Sequence, residues 1–286
     1  MAKGSELKGR IKSVENTRKI TRTLEMIATS KMKRAQDRVI AARPYAHALA
    51  DVISSLYSKD LEGDFPLLRQ PTSVKKAAVL LLTSNRGMAG GFNANLIKEA
   101  RSLIKRLEGE GATVELHVNG KKGIGYFRYI GRAMAAQRTD IGDKPTAGDA
   151  ASLVDALMAG YQSGDIDAVY VVCAQYKSAL SSPPASERVL PVTPPAGTAG
   201  QKDFLLFPDA GSILSELLPA YVRNAVYKAL VETVAAEQAA RRTAMKNATD
   251  NAGEMLNVLR RTYNRARQAN ITQEIAEIVG GAAALE

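Results

Sequence analysis

The sequence has no tryptophan, one cysteine, two histidines and only 5% aromatic residues. The lone Cys173 permits no internal disulfide and no cysteine-rich metal site, which fits a reducing cytoplasm. His47 and His117 lie far apart in sequence, so metal or histidine-based catalysis is poorly supplied. No apolar run reaches the ~18 residues of a membrane span, and no direct membrane span is expected. The opening MAKGSELKGR lacks the apolar core of a signal peptide, and Glu6 argues against a transit peptide. Proline is also rare where it matters most. From Gly211 to Glu286 there is one, Pro219, and none precedes Pro44.

What remains is 286 residues with 45% hydrophobic content and a net charge of +10. That length supports one large or two modest domains with a real core. The charge is localised. Residues 1–43 hold 12 Lys and Arg against 4 Asp and Glu, while residues 44–210 hold 18 against 17 and residues 211–286 hold 9 against 8. A basic first helix raises the possibility of nucleic acid, but residues 1–44 contain no Phe, Tyr or Trp to stack on bases. A solvated face or a surface for an acidic protein are the other readings.

Both ends read as long helices. From Ser5 to Arg43 apolar residues fall at Leu7, Ile11, Val14, Ile20, Leu24 and Ile27, followed by Met32, Ala35 and Val39. Pro44 should bend or break this helix, with the pattern resuming through Ala46–Leu56. At the other end the seam is Met245, Ala248, Ala252, Met255, Leu259, Tyr263 and Ala266. Its mean step of about 3.5 residues is the coiled-coil period rather than the straight-helix 3.6. An unbroken helix from about Ala220 to Val279 would be on the order of 90 Å long at ~1.5 Å per residue. Two narrow stripes at opposite ends of the chain suggest an antiparallel pair.

The centre changes period. Ala77–Leu82 is a continuous apolar run that reads as a buried strand, Val114–Val118 alternates as a second, and Ile166–Cys173 is a third. Val189–Val192 reads as a further strand at an edge, because Pro191 cannot donate to a ladder. Ser181–Gly200, rich in Ser, Pro, Ala and Gly, reads as an exposed loop. The predicted fold class is α/β: a long antiparallel coiled coil of N- and C-terminal helices plus a central Rossmann-like α/β domain. The boundaries are 1–56 and 211–286 for the two coiled-coil helices and 75–195 for the α/β domain.

The candidate chemistry is thin. Thr83-Ser84-Asn85-Arg86-Gly87-Met88-Ala89-Gly90-Gly91 follows a strand and precedes a helix, where phosphate loops sit. It lacks the Lys-Ser/Thr of a P-loop, and its glycines miss the dinucleotide fingerprint. Glycines at such a turn more often allow close packing or positive φ. No catalytic constellation is present and no cofactor is expected.

Two long motifs carry a resemblance. Ile20 to Gln36 (ITRTLEMIATSKMKRAQ), Ala244 to Ala252 (AMKNATDNA) and Tyr263 to Ile275 (YNRARQANITQEI) closely resemble the terminal motifs of the gamma subunit of rotary F-type ATP synthases. Ser84–Asn93 is similar to that family's Gly-rich loop, so the likeness runs end to end. It implies a non-catalytic rotor. In the family, the paired helices run up the bore of a ring of alpha and beta subunits. The α/β domain stands with the epsilon subunit on the c-ring of the proton-translocating membrane sector. It also implies a peripheral position on the cytoplasmic face of the cell inner membrane. Contacts to beta-subunit loops carry over to Arg241, Gln268, Thr272 and Glu274, and Ile275, Ile278 and Val279 suit a tip in an apolar sleeve. Lys202–Asp209 is expected to reach the c-ring. Ala89 stands where relatives often carry cysteine, and the chloroplast-type insertion with paired cysteines is absent, so thiol switching is not implied. The competing reading is a basic nucleic-acid-binding coiled coil.

Overall fold

The structure, a computed structural model, describes residues 2–56, 65–193 and 210–283. The Lys202–Asp209 segment therefore lies outside the described residues. Two compact units are present, one formed by residues 1–28 with 241–286 and the other by residues 29–240. Helix α1 spans Ala2–Leu56 and helix α5 spans Ala210–Ala283.

In the first unit the two helices pair antiparallel. The Arg260 guanidinium meets the Glu15 carboxylate at 2.5 Å, and the Thr249 and Thr21 hydroxyls meet at 2.9 Å, so the partner number falls as the α1 number rises. On α5 the covered positions are Met245, Thr249, Ala252 and Leu256, followed by half-buried Leu259, Tyr263 and Ala266. Their steps alternate between four and three, the strict coiled-coil repeat. The expected seam is thereby corrected at two positions: buried Thr249 takes the place of half-buried Ala248, and buried Leu256 that of Met255, which is 54% exposed. An apolar-only search passed over Thr249, whose hydroxyl donates to the Met245 carbonyl at 2.8 Å and so enters the seam with its polarity satisfied.

The α1 stripe needs the same correction. Leu7, Ile11 and Val14 are half-buried and Ala28 is buried, but Ile20 is 59% exposed and Ile27 is also exposed. A four-three continuation from Val14 passes through Arg18, Thr21 and Glu25, so this stretch of the seam is polar. Replacing Thr21 and Thr249 together with cysteine should therefore give an intramolecular disulfide on mild oxidation. Ile20→Cys with Thr249→Cys should not, because Ile20 faces away. Preferential cross-linking of the Ile20 pair would contradict this register.

In the second unit, five strands carry the core: β1 (Lys76–Leu82), β2 (Thr113–Asn119), β3 (Ala136–Arg138), β4 (Ala168–Ala174) and β5 (Pro184–Leu190). Their order is β3-β2-β1-β4-β5, with β1 to β4 parallel and β5 antiparallel to β4. Helices α2 (Phe92–Gly109), α3 (Lys121–Tyr129) and α4 (Ala147–Ser163) connect them. Strand β1 is apolar from Ala77 to Leu82 because both its faces are covered there. Ala78, Leu80 and Leu82 pack with α4, with Leu49 and Ile53 of α1 and with Leu214–Leu230 of α5. Ala77, Val79 and Leu81 pack with α2, with Met32–Val39 and with Val231–Ala239. Both long helices thus contribute to both core layers. Helix α4 starts on a capping box, Thr146 with Asp149, and stops at left-handed Gly164.

Two expectations fail in this unit. Pro44 does not break α1, which runs through it. Pro44 and Ile40, whose carbonyl loses its partner, are both on the exposed side, and buried Val39, Leu49 and Ile53 anchor the helix across the site. The Ser181–Gly200 loop is also wrong over Pro184–Leu190, which is strand β5. There β4 supplies an open edge, and pairing from Tyr170↔Arg188 to Ala174↔Pro184 overrides a loop-like composition. Pro184 opens that strand and Pro191 follows it, both positions where a missing N–H costs no ladder bond. Strand β3, three residues long, is too short to leave a pattern.

Candidate functional site

The strand order places the reversal of the chain between β1 and β4. In open α/β sheets, ligands take the crevice outside the carboxyl ends of the strands at such a point. Here α5 supplies side chains to that edge. Thr233 Oγ1 accepts a hydrogen bond from the Ala174 N–H at 3.3 Å, and Glu232 Oε2 accepts from the Tyr176 N–H at 3.2 Å. Both side chains are buried. Burial pushes the Glu232 carboxyl above its ordinary range, opposed by the Lys228 ammonium and the Tyr176 N–H. The backbone donors at the end of β4, which a cofactor could otherwise use, are held by the helix. A cavity of about 280 Å³ remains between Thr83, Ser84, Asn119 and the α5 residues Thr233 and Glu237.

The Thr83–Gly91 loop is closed on itself. The Ser84 N–H donates to Asn93 Oδ1 at 3.0 Å and the Ser84 hydroxyl donates to the Arg86 carbonyl at 2.6 Å. Met88 and Gly90 adopt left-handed φ values of 62° and 56°. The N-terminus of α3 comes down on this loop. A Cβ built on Gly120, itself at φ 108°, would lie 2.1 Å from the Thr83 carbonyl oxygen. Within the turn Gly90 takes a positive φ, as the sequence suggested, and the close backbone approach is made by Gly120 outside it.

The four residues expected to meet a partner all belong to the two-helix unit. Arg241 is half-buried; Gln268, Thr272 and Glu274 are exposed. The Thr272 hydroxyl donates to the Gln268 carbonyl at 3.0 Å, so those two residues share a face, which Ile275 extends. Arg241 lies far along the helix from the other three. Every residue from Arg267 to Gly280 is exposed. The register explains why: counting from Glu15–Arg260 and Thr21–Thr249, α1 runs out opposite about residue 270 of α5. The bare end displays Ile271, Ile275, Ile278 and Val279, the last two 72% and 62% exposed. A run of apolar side chains like this marks a surface that something else covers. The segments 1–28 and 241–286 also hold 14 Lys and Arg against 8 Asp and Glu.

The chain shares its fold with central stalks of mitochondrial ATP synthases. The central stalk of the Tetrahymena thermophila mitochondrial ATP synthase matches with a TM-score of 0.61 and 24% identity, over 80% of this chain and 99% of that one. The rotor of the Euglena gracilis mitochondrial enzyme matches with a TM-score of 0.65 and 17% identity, over 94% of this chain and 99% of that one. The family model described as ATP synthase matches residues 3–285. The ATP synthase gamma chain of Gemmatimonas aurantiaca is 66% identical over the whole of both chains. The chain belongs to the ATP synthase gamma chain family. Nothing in these likenesses supports the nucleic-acid reading.

Proposed function

We propose that this chain is the central rotor shaft of a proton-translocating ATP synthase, a subunit that transmits force and carries no catalytic site. The observation that carries this reading is the bare end of α5, an apolar and hydrogen-bonding helix surface that its own partner helix leaves uncovered. In this role the helices 1–56 and 211–286 lie within a ring of alpha and beta subunits. The α/β domain, residues 75–195, stands with the epsilon subunit on the c-ring. Rotation of the c-ring turns the shaft, which presents different faces to the beta subunits in turn. Each face stabilises one conformation over another, and nucleotide affinity at the beta sites follows. Arg241, Gln268, Thr272 and Glu274 make the polar contacts to the beta-subunit loops.

The protein would sit peripherally on the cytoplasmic face of the cell inner membrane. No described helix is long and apolar enough to cross a membrane. The purified chain should join alpha and beta subunits into a complex that hydrolyses ATP, while alone it neither hydrolyses ATP nor binds it tightly. The capture of the Ala174 and Tyr176 N–H groups by α5 side chains and the absence of a P-loop lysine motivate the second half. Submicromolar ATP affinity of the isolated chain, lost in Gly90→Ala, would overturn it.

A further inference from the structure

We propose that the groove between α2 and α3 docks an acidic amphipathic helix of another protein. This inference does not depend on the shaft role. Lys98, Arg101 and Lys105 recur on α2 at steps of three and four, so they form one exposed stripe. At ~1.5 Å rise per residue the stripe is about 10 Å long, matching carboxylates at the same steps on a second helix. The Arg101 guanidinium is held toward α3 by donating to the Tyr126 hydroxyl at 3.0 Å. The carboxylate in the groove, Glu108, is taken by Arg132 at 2.7 Å.

The groove holds about 370 Å³, with Ile130 46% exposed at its rim and Ile104 and Phe127 buried beneath it. Beside it in the chain stands Tyr129, 88% exposed, a residue type enriched at protein interfaces. Cations along one wall, with exposed Ile130 and Tyr129 at the rim, are complementary to a helix with an acidic face beside a leucine face. Phe127, fully buried, cannot stack on a base.

The test uses the full chain and a fluorescein-labelled 18-residue helical peptide with glutamates at steps of three and four beside a leucine stripe. Fluorescence anisotropy should give a micromolar Kd at low salt. Lys98→Glu with Arg101→Glu and Lys105→Glu should weaken binding at least about tenfold. Lys8→Glu with Lys12→Glu and Lys19→Glu, an equal change in net charge, should weaken it less than about threefold. Ile130→Ser should cost about threefold with the fold unchanged by circular dichroism. If the first triple variant fails to fold, Arg101→Gln with Lys105→Gln makes the same comparison. Equal losses in the two triples would reduce the effect to net charge and overturn the proposal. So would absence of peptide binding. Preferential binding of single-stranded DNA or of phosphatidylglycerol vesicles, sensitive to the α2 triple, would replace it with a different surface.

Discussion

Gly120→Ala is expected to destabilise the α/β unit by about 3–5 kcal/mol, near the upper end of what single substitutions do. Two costs add. The backbone at Gly120 has φ 108°, a conformation that strains an L side chain by ~1–3 kcal/mol. The new Cβ would also meet the Thr83 carbonyl oxygen at 2.1 Å, and that atom is backbone at the end of a central strand. Relief requires moving either α3 or β1. Thr83 has no freedom to yield, since its N–H donates to the Asn119 carbonyl and its hydroxyl accepts from the Gly123 N–H. With total stabilities of about 5–15 kcal/mol, a change of this size leaves a sizeable unfolded fraction. Gly125→Ala provides the contrast. Its Cβ would meet nothing within 4 Å, inside the same helix, so a gain of ~0.5–1 kcal/mol is expected. Urea unfolding of both variants decides the matter. Similar midpoints for the two would contradict the packing described for α3.

The quadruple replacement of Arg241, Gln268, Thr272 and Glu274 with alanine should lower coupled ATP turnover of the assembled complex by about fivefold or more, leaving the chain folded. A residue exposed in the free chain but enclosed by a protein sleeve must find a partner, since a buried unpaired polar group costs about 1–3 kcal/mol. Loss of as little as ~1 kcal/mol of force-bearing contact corresponds to a fivefold change in rate. Gln268, Thr272 and Glu274 lie on the bare part of α5 where truncation disturbs no internal packing. Gln268→Leu or Glu274→Ala alone should give partial losses, because force is shared along the shaft. Full turnover and normal ATP synthesis in the quadruple variant would show that these residues are not the contact that matters.

The readable parts of this fold were those written in one short stretch. Ala77–Leu82 and Val171–Ala174 are buried on both sides, so their apolar runs declared themselves. Pro184–Leu190 did not, because its strand state comes from the edge of β4 and not from its own residues. The seam of α5 was readable to within one residue. It slipped because Thr249, polar by type, is made acceptable by the Met245 carbonyl and by Thr21, 228 positions away in the chain. Ile20 and Ile27 look like core residues in a helical count, and only the register shows that they face outward. The Glu232 and Thr233 contacts to the end of β4 are another long-range matter, made by residues more than 50 positions apart. The four residues proposed to meet a partner rest on motif resemblance. In the free chain three of them are simply exposed polar side chains, and nothing local distinguishes them from their neighbours.

The most direct measurement is rotation. Leu180, 94% exposed, can be replaced by cysteine to carry a probe, while the native Cys173 is buried and its thiol pushed well above the ordinary range by burial. With the alpha and beta ring fixed to a surface and ATP added, the account predicts that the probe turns in one direction in discrete steps, at a rate that follows hydrolysis. A complex that contains this chain and hydrolyses ATP while the probe stands still would contradict it.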